Sequence, residues 1–312
     1  MSKQTSKQSP NTLRKVLFIL LGIAAIPLLL YGYMVASSLI GRETITVDNT
    51  DRKYRIYVPS TYQEEPLPLV LVFHMLTASG KTTEWLTGFN EIAEREGFIV
   101  VYPEGYKNSW AEGSNLYAAD QDQINDVGYI SALIDKLMGE YVIDANQIYA
   151  TGFSSGGLMV QRLGCELSDR ISAIASVGAT LSTNSFESCN PQQPLPVLMI
   201  HGTEDHGVPW QGDSNYLSVP DTIEFWSKHN GCGDILEKTQ LPDIKEDGTT
   251  VKIDAYTGCL ENSSVNLYTI YEGGHTWPGG NQAVQLWGLN GRISQDLNAS
   301  QTVWAFFQQQ GR

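Results

Sequence analysis

The sequence predicts an α/β protein, with a mostly parallel central sheet covered by helices on both faces and gathered in a single domain. Short, wholly apolar runs such as LVLVF and PVLMI recur between stretches with helical spacing, the pattern of strands buried on two faces. A GxSxG run stands between one such strand and one such helix. The chain has 312 residues and is 42% apolar, enough for a full hydrophobic core.

Residues 1–41 stand apart from that domain. Lys3, Lys7, Arg14 and Lys15 make this tip basic, it holds no acid, and nothing from 16 to 41 is charged. A helix rises 1.5 Å per residue, so about 20 apolar residues cross the hydrocarbon core of a bilayer, and the run is long enough. A basic tip before an apolar run reads as an export signal or an uncleaved membrane anchor. Its length favours the anchor, while Ala36, Ser37 and Ser38 leave cleavage open. The positive-inside rule places the tip in the cytoplasm and residues 42–312 across the membrane, in a compartment that permits disulfides.

Within 42–312 the elements follow in order. Residues 43–59 alternate polar and apolar, the period of a strand or hairpin. Residues 69–73 form a buried strand. Residues 83–96 have helical spacing, with Trp85, Phe89 and Ile92 on one side, and 98–102 is again a buried strand. Asp126 is placed to cap a helix over 127–138. Residues 147–151 are a strand and 155–167 a helix, with Leu158, Met159 and Leu163 apolar. Two more buried strands cover 171–177 and 196–200. A short helix over 221–228, a strand over 265–271 and a last helix capped by Asn298 and running through Phe307 complete the pattern. No linker interrupts this region, so it reads as one domain.

Composition excludes several classes of function. Asp and Glu number 34 against 20 Lys and Arg, a net charge of −14, and that excess argues against binding to nucleic acid or a polybasic grip on anionic lipid. The four cysteines show no CxxC spacing, so a structural zinc site is not expected. There is no glycine-rich phosphate loop and no HExxH, so neither a nucleotide cofactor nor a metal is inferred.

The chemistry-bearing residues fall in four segments. Gly152-Phe153-Ser154-Ser155-Gly156 follows a strand and opens a helix, the context in which a sharp turn lifts a serine oxygen above a sheet. The N–H of Ser155 then points toward an oxyanion. A serine needs a base, and His275 lies among glycines just past the strand ending at Tyr271. The acid should follow a strand between the two. Asp205 in HGTEDHGVP is the first choice and Glu204 the second. His201 and His206 read as structural or rim residues, and His229 as a helix C-terminal cap. A second oxyanion donor should come from the loop at 73–77, where His74 is placed to hold the loop by a hydrogen bond.

Taken together, these segments resemble the extracellular polyhydroxybutyrate depolymerase and feruloyl esterase family of α/β-hydrolases. The matching pieces are YRIYVP, PLVLVFH, VVYPEGYKNSW, DVGYISALID, IYATGFSSGGLMVQRLGCELSDRISAIASVGATL, PVLMIHGTEDHGVPW, LYTIYEGGHTWPGG and LNASQTVWAFF, from about Tyr54 to Phe307. The resemblance implies the α/β-hydrolase fold, a triad of Ser154, Asp205 and His275, and oxyanion amides on Ser155 and Leu76. Met75 stands where the family usually has glycine, which bears on the geometry of the oxyanion loop. Four cysteines allow three pairings, and the resemblance favours Cys165–Cys189 with Cys232–Cys259.

The expected activity is that of a serine esterase acting on polyhydroxyalkanoate, feruloyl or acetyl-polysaccharide esters, small or polymeric. Trp110 and Trp277 are the expected walls of its acyl or sugar pocket. A serine peptidase on the same scaffold and a non-catalytic surface binding protein are the alternatives. The expected location is extracytoplasmic, either secreted or held to the membrane by the N-terminal segment.

Overall fold

The computed structural model describes residues 41–233, 236–285 and 291–310. The signal or anchor assigned to 1–41 lies outside these residues except for Gly41. The chain divides into a unit ending at Arg42 and a unit covering Glu43–Arg312, and the architecture below is that of the second. Among the described residues no helix is long and apolar enough to cross a membrane.

The strands are β1 (Arg42–Val47), β2 (Thr50–Tyr57), β3 (Leu67–Phe73), β4 (Ile99–Pro103), β5 (Ile143–Phe153), β6 (Ala173–Val177), β7 (Val197–Gly202), β8 (Leu236–Gln240), β9 (Thr250–Tyr256) and β10 (Val265–Tyr271). They form one sheet in the order β1-β2-β4-β3-β5-β6-β7-β10-β9-β8. From β4 to β10 the neighbours run parallel, while β2 at one side and β9 and β8 at the other are antiparallel. Asp48 (φ 50°) and Asn49 (φ 59°) join β1 to β2 with two left-handed residues, as a tight hairpin turn of the I′ type demands.

The helices are α1 (Gly80–Thr87), α2 (Phe89–Glu96), α3 (Ala118–Gln121), α4 (Asp126–Glu140), α5 (Ser155–Glu166), α6 (Thr183–Ser188), α7 (Val219–His229), α8 (Gln282–Gln285) and α9 (Ala299–Phe307). Side chains along β3 explain why helices cover both faces. Leu69, Leu71 and Phe73 pack in one layer with Ile130 and Leu133 of α4, Met159 and Leu163 of α5, and Trp226 of α7. Val70 and Val72 point the other way, into a layer with Phe89 and Ile92 of α2 and Val303 and Phe307 of α9. Each such side chain, fully buried, contributes about 1.5–3 kcal/mol.

Three local expectations are corrected. The single helix expected over 83–96 is two, because Gly88 (φ 63°) takes the left-handed conformation that ends α1 and precedes α2. The break turns Trp85 outward, 42% exposed, away from Phe89 and Ile92. The cap of α4 is Asn125, whose side chain accepts from Gly128 N, and Asp126 is instead the first helical residue. Asp126 is buried against Arg52 and accepts from Ala111 N at 2.8 Å. The antiparallel pair β8–β9 lies where no strand was expected. Its sequences, LEKTQ and TVKIDAY, are polar enough that period alone does not mark them.

Both disulfides are present, Cys165–Cys189 and Cys232–Cys259. The first ties the end of α5 to the residue after α6. The second ties the residues after α7 to the β9–β10 connection. Closing loops of 24 and 27 residues, each should contribute on the order of 3 kcal/mol in the chain-entropy model. Reduction should raise the intact mass by about 4 Da in total, two hydrogens per bridge, and lower the melting temperature. An unchanged mass would contradict the pairing.

Glu112 brings a pH dependence to the fold. It is fully buried, and its carboxyl accepts from Ser114 N and Ser114 Oγ. Burial pushes its pKa up to about 7, with Asp120 adding to the rise and Ser114 and Arg162 opposing it. Between the ordinary carboxyl range and about 7, the unfolded chain has released a proton that the folded chain keeps. Stability should therefore fall by about 3 kcal/mol as pH rises through that window. Urea unfolding at pH 5 and pH 8 should show that fall in the wild type, and Glu112→Gln should flatten it.

Candidate active site

The candidate site sits at the C-terminal ends of the parallel strands. Pairing of Phe73 with Gly152 and of Phe153 with Val177 aligns the ends of β3, β5 and β6. At the end of β5 the backbone turns sharply at Ser154 (φ 56°, ψ −125°), and α5 begins at the next residue. A non-glycine residue in this region costs about 1–3 kcal/mol, which the surrounding structure must offset. The glycines of the motif make the turn possible. A Cβ on Gly152 would lie 2.5 Å from the Gly156 backbone, and one on Gly156 would lie 2.3 Å from the Phe73 carbonyl oxygen. That second approach also brings the loop after β3 against the serine turn.

Ser154 Oγ is 2.8 Å from His275 Nε2, and His275 Nδ1 is 2.8 Å from Asp205 Oδ2. Ser154 is half-buried, whereas His275 and Asp205 are buried. Asp205 Oδ1 accepts from Gly207 N and Val208 N, both at 2.8 Å, which leaves Oδ2 for the histidine. Burial works to raise the Asp205 carboxyl. Hydrogen bonding and charge from His275, with His201 and the Val208 amide, outweigh it and hold the group below its usual range. Glu204, the second choice for the acid, is exposed. Phe153 stacks on the His275 ring at 4.9 Å between centroids.

The loop after β3 is held from below. His74 is fully buried; its Nδ1–H donates to Met75 O and its Nε2 accepts from Gly105 N, both at 2.8 Å. Burial lowers its pKa to about 4, against the opposing pull of the Met75 carbonyl, so the ring is neutral and this tautomer persists. The left-handed residue of the loop is Thr77 (φ 61°) rather than Met75, so methionine at 75 carries no such strain. Thr77 N donates to Asn108 O, and Leu76 lies half-buried beside it. Ser155 opens α5, so its N–H has no acceptor within the helix.

The two tryptophans expected to wall the pocket are instead in the core. Trp110 is fully buried, 5.1 Å from the Phe73 ring, and its indole N–H donates to His74 O. Trp277 is also fully buried, edge-on to Phe89 and Phe153, with its indole N–H donating to Ser300 Oγ. Both rings have internal partners for their one polar group and their faces, which leaves no surface for a substrate. They support the loop of His74 and the Phe153–His275 stack from behind.

His201 has more to do with the site than its sequence position suggested. Its side chain is fully buried in β7, Nε2 lies 2.9 Å from Val208 O, and the same nitrogen lies 3.4 Å from Asp205 Oδ2. Burial lowers its pKa, against Asp205 and Val208. A neutral ring facing a carbonyl and a carboxylate carries its proton on Nε2. The HG dipeptide in front of the acid gave no sign of this, because the contact depends on how the loop 203–208 folds back.

A model of the phospholipase/carboxylesterase family matches residues 109–230. The chain is 29% identical over 256 residues to a putative esterase, NocK, of Nocardia uniformis subsp. tsuyamanensis, covering 77% of this chain and 74% of that one. It is 27% identical over 238 residues to feruloyl esterase B of Piromyces equi, covering 72% of this chain but only 42% of that longer protein. Among solved structures, the acetyl xylan esterase from Aspergillus awamori superposes with a TM-score of 0.55 at 16% identity, over 75% of this chain and 94% of that one. That last likeness speaks for the fold. The fold is that of an α/β-hydrolase, and the family match and the named relatives point to a carboxylic ester hydrolase.

Proposed function

We propose that the chain hydrolyses carboxylic esters through Ser154, His275 and Asp205. The observation that carries this reading is the hydrogen-bonded line from Ser154 Oγ through the His275 ring to Asp205. Ser154 Oγ attacks the ester carbonyl while His275 Nε2 takes its proton. Asp205 keeps the proton of the neutral ring on Nδ1 and stabilises the imidazolium that forms. The amides of Ser155 and Leu76 receive the oxyanion. His275 then protonates the leaving alcohol, and water repeats the sequence on the acyl-enzyme.

Feruloyl and acetylated-polysaccharide esters are the proposed substrates, supported by the names of the relatives and by the resemblance of the motifs. The two disulfides favour an extracytoplasmic location, with residues 1–41 as signal or anchor and 42–312 as the catalytic domain. A fluorophosphonate probe followed by peptide mapping tests the site. The label should land on Ser154 and be blocked by a feruloyl or acetyl ester, and a label on any other serine would overturn the assignment. His201→Phe, which keeps an aromatic ring and loses the donor, should lower kcat by about tenfold with KM unchanged, the loss expected of a misaligned general base.

A further inference from the structure

A groove separate from the serine lies on the side of the sheet where the antiparallel strands begin. Its volume is about 630 Å³, within the ~300–1,000 Å³ of small-ligand sites. The floor is one face of two paired strands. Lys252, Asp254 and Tyr256 alternate along β9, and Leu267, Thr269 and Tyr271 along β10, with Thr269 opposite Lys252 and Leu267 opposite Asp254. One wall is the face of α7 that carries Glu224 and Ser227, and Trp210 closes the end beside β7.

Three features of this lining restrict what it can hold. First, it is aromatic. Trp210 and Tyr256 are half-buried and Tyr271 is 42% exposed, so three ring systems border the space. Second, its charges are internally matched. Lys252 Nζ lies 2.8 Å from Asp254 Oδ2, and Glu224 pairs with Lys228 on the next turn of α7. Each charged group of the lining thus already has a partner, which favours a neutral ligand over an ion. Third, hydrogen-bonding groups are spread along the floor, with Lys252, Thr269 and Asp254 among the rings. Successive floor residues on one strand are about 6.7 Å apart, and the antiparallel register sets Tyr256 and Tyr271 at opposite ends of the floor with Asp254, Lys252 and Thr269 between them. Asp254 Oδ1 is buried and has no hydrogen-bond partner, and a purely apolar chain would leave it so, at a cost of about 1–3 kcal/mol.

We infer that this groove binds a neutral saccharide chain, stacking the C–H faces of sugar rings on Tyr271, Tyr256 and Trp210 while Lys252, Asp254 and Thr269 meet the hydroxyls. Sugar rings have this double character, one face of C–H groups and a rim of hydroxyls. The groove includes Thr203, two residues before Asp205, and Tyr271, four before His275, so it opens on the same loops that carry the candidate site. It is therefore placed to hold the polymer to which an ester group is attached. Binding rests on the groove alone; its service to the substrate rests on the esterase reading.

The test uses the full chain with xylohexaose and cellohexaose, neither of which contains an ester, so its result is independent of hydrolysis. Calorimetry and tryptophan fluorescence should show saturable binding of at least one of them at millimolar concentration or below. Tyr271→Ala removes an exposed ring, and Ser227→Trp fills the groove from α7. Both should weaken binding at least tenfold while kcat/KM for p-nitrophenyl acetate stays within twofold of wild type. No binding of either oligosaccharide to the wild type would overturn the inference, as would unchanged affinity in both variants. Loss of ester hydrolysis with binding intact would instead count against the esterase reading.

Discussion

Ser154→Ala should lower kcat for short p-nitrophenyl esters by about 10⁶-fold, the loss seen when a serine nucleophile is removed from such a constellation. KM should change little, because Ser154 meets the substrate mainly in the reaction itself. The fold should survive. Ser154 is half-buried, its backbone N–H bonds to Val177 O at 3.0 Å, and neither that bond nor the turn depends on the hydroxyl. Alanine also inherits the same left-handed backbone, so the strain of the turn is unchanged. Paired measurements of kcat and thermal midpoint check this. A variant that keeps more than a hundredth of the wild-type rate, with an unchanged midpoint, would remove Ser154 from the mechanism.

Asp205→Asn should cost about 10⁴-fold in kcat at neutral pH. The geometry around Asp205 explains why so conservative a change is so damaging. Gly207 N and Val208 N donate to Oδ1, His275 donates to Oδ2, and His201 presents its nitrogen to the same oxygen. Only a carboxylate accepts from all of them. An asparagine must turn an NH₂ toward either the two backbone amides or the histidine. In the second case it stabilises the tautomer of His275 that cannot take the proton of Ser154. The stability of the variant should also respond differently to pH. Because the Asp205 carboxyl is held below its usual range, its ionised form stabilises the fold fully above about pH 4, and that contribution disappears as pH falls through the lowered native value. Unfolding free energies of wild type and Asp205→Asn should therefore converge in acid. Curves that stay parallel from neutral pH to the acid limit would show that Asp205 is not held as an ion by its neighbours.

Much of the fold was legible in residue order, and the reasons are local. A run such as LVLVF has apolar side chains on both faces, so its period alone places it in a covered, parallel part of the sheet. Asn298 accepts from Gln301 N at the start of α9, as a cap residue in that position should. What misled was local similarity with a different outcome. Asp126 has the chemistry of a cap, but the buried guanidinium of Arg52, 74 residues away in the chain, takes it into the core, and Asn125 caps instead. Gly88 falls inside the run of helical spacing over 83–96, yet its left-handed turn divides that helix in two.

For the site, the serine turn could be read from the chain because its requirement is short-range: a strand, a glycine where the next turn of backbone approaches, a serine and a helix. The candidates His275 and Asp205 came from chain order and from the strands in front of them. Their burial, the 2.8 Å contacts that join them, and the acceptance of the Gly207 and Val208 amides exist only after strands far apart in the chain are paired. The same pairing sends Trp110 and Trp277 inward, brings His201 to the acid, and builds a groove from α7, β9 and β10. Residue order thus carries element type, the serine turn and the set of groups able to do acyl chemistry, since each depends on neighbours within a few residues. Which aromatic ring faces a ligand and which props a loop depends on long-range packing, where a side chain's partners come from segments that periodicity does not connect.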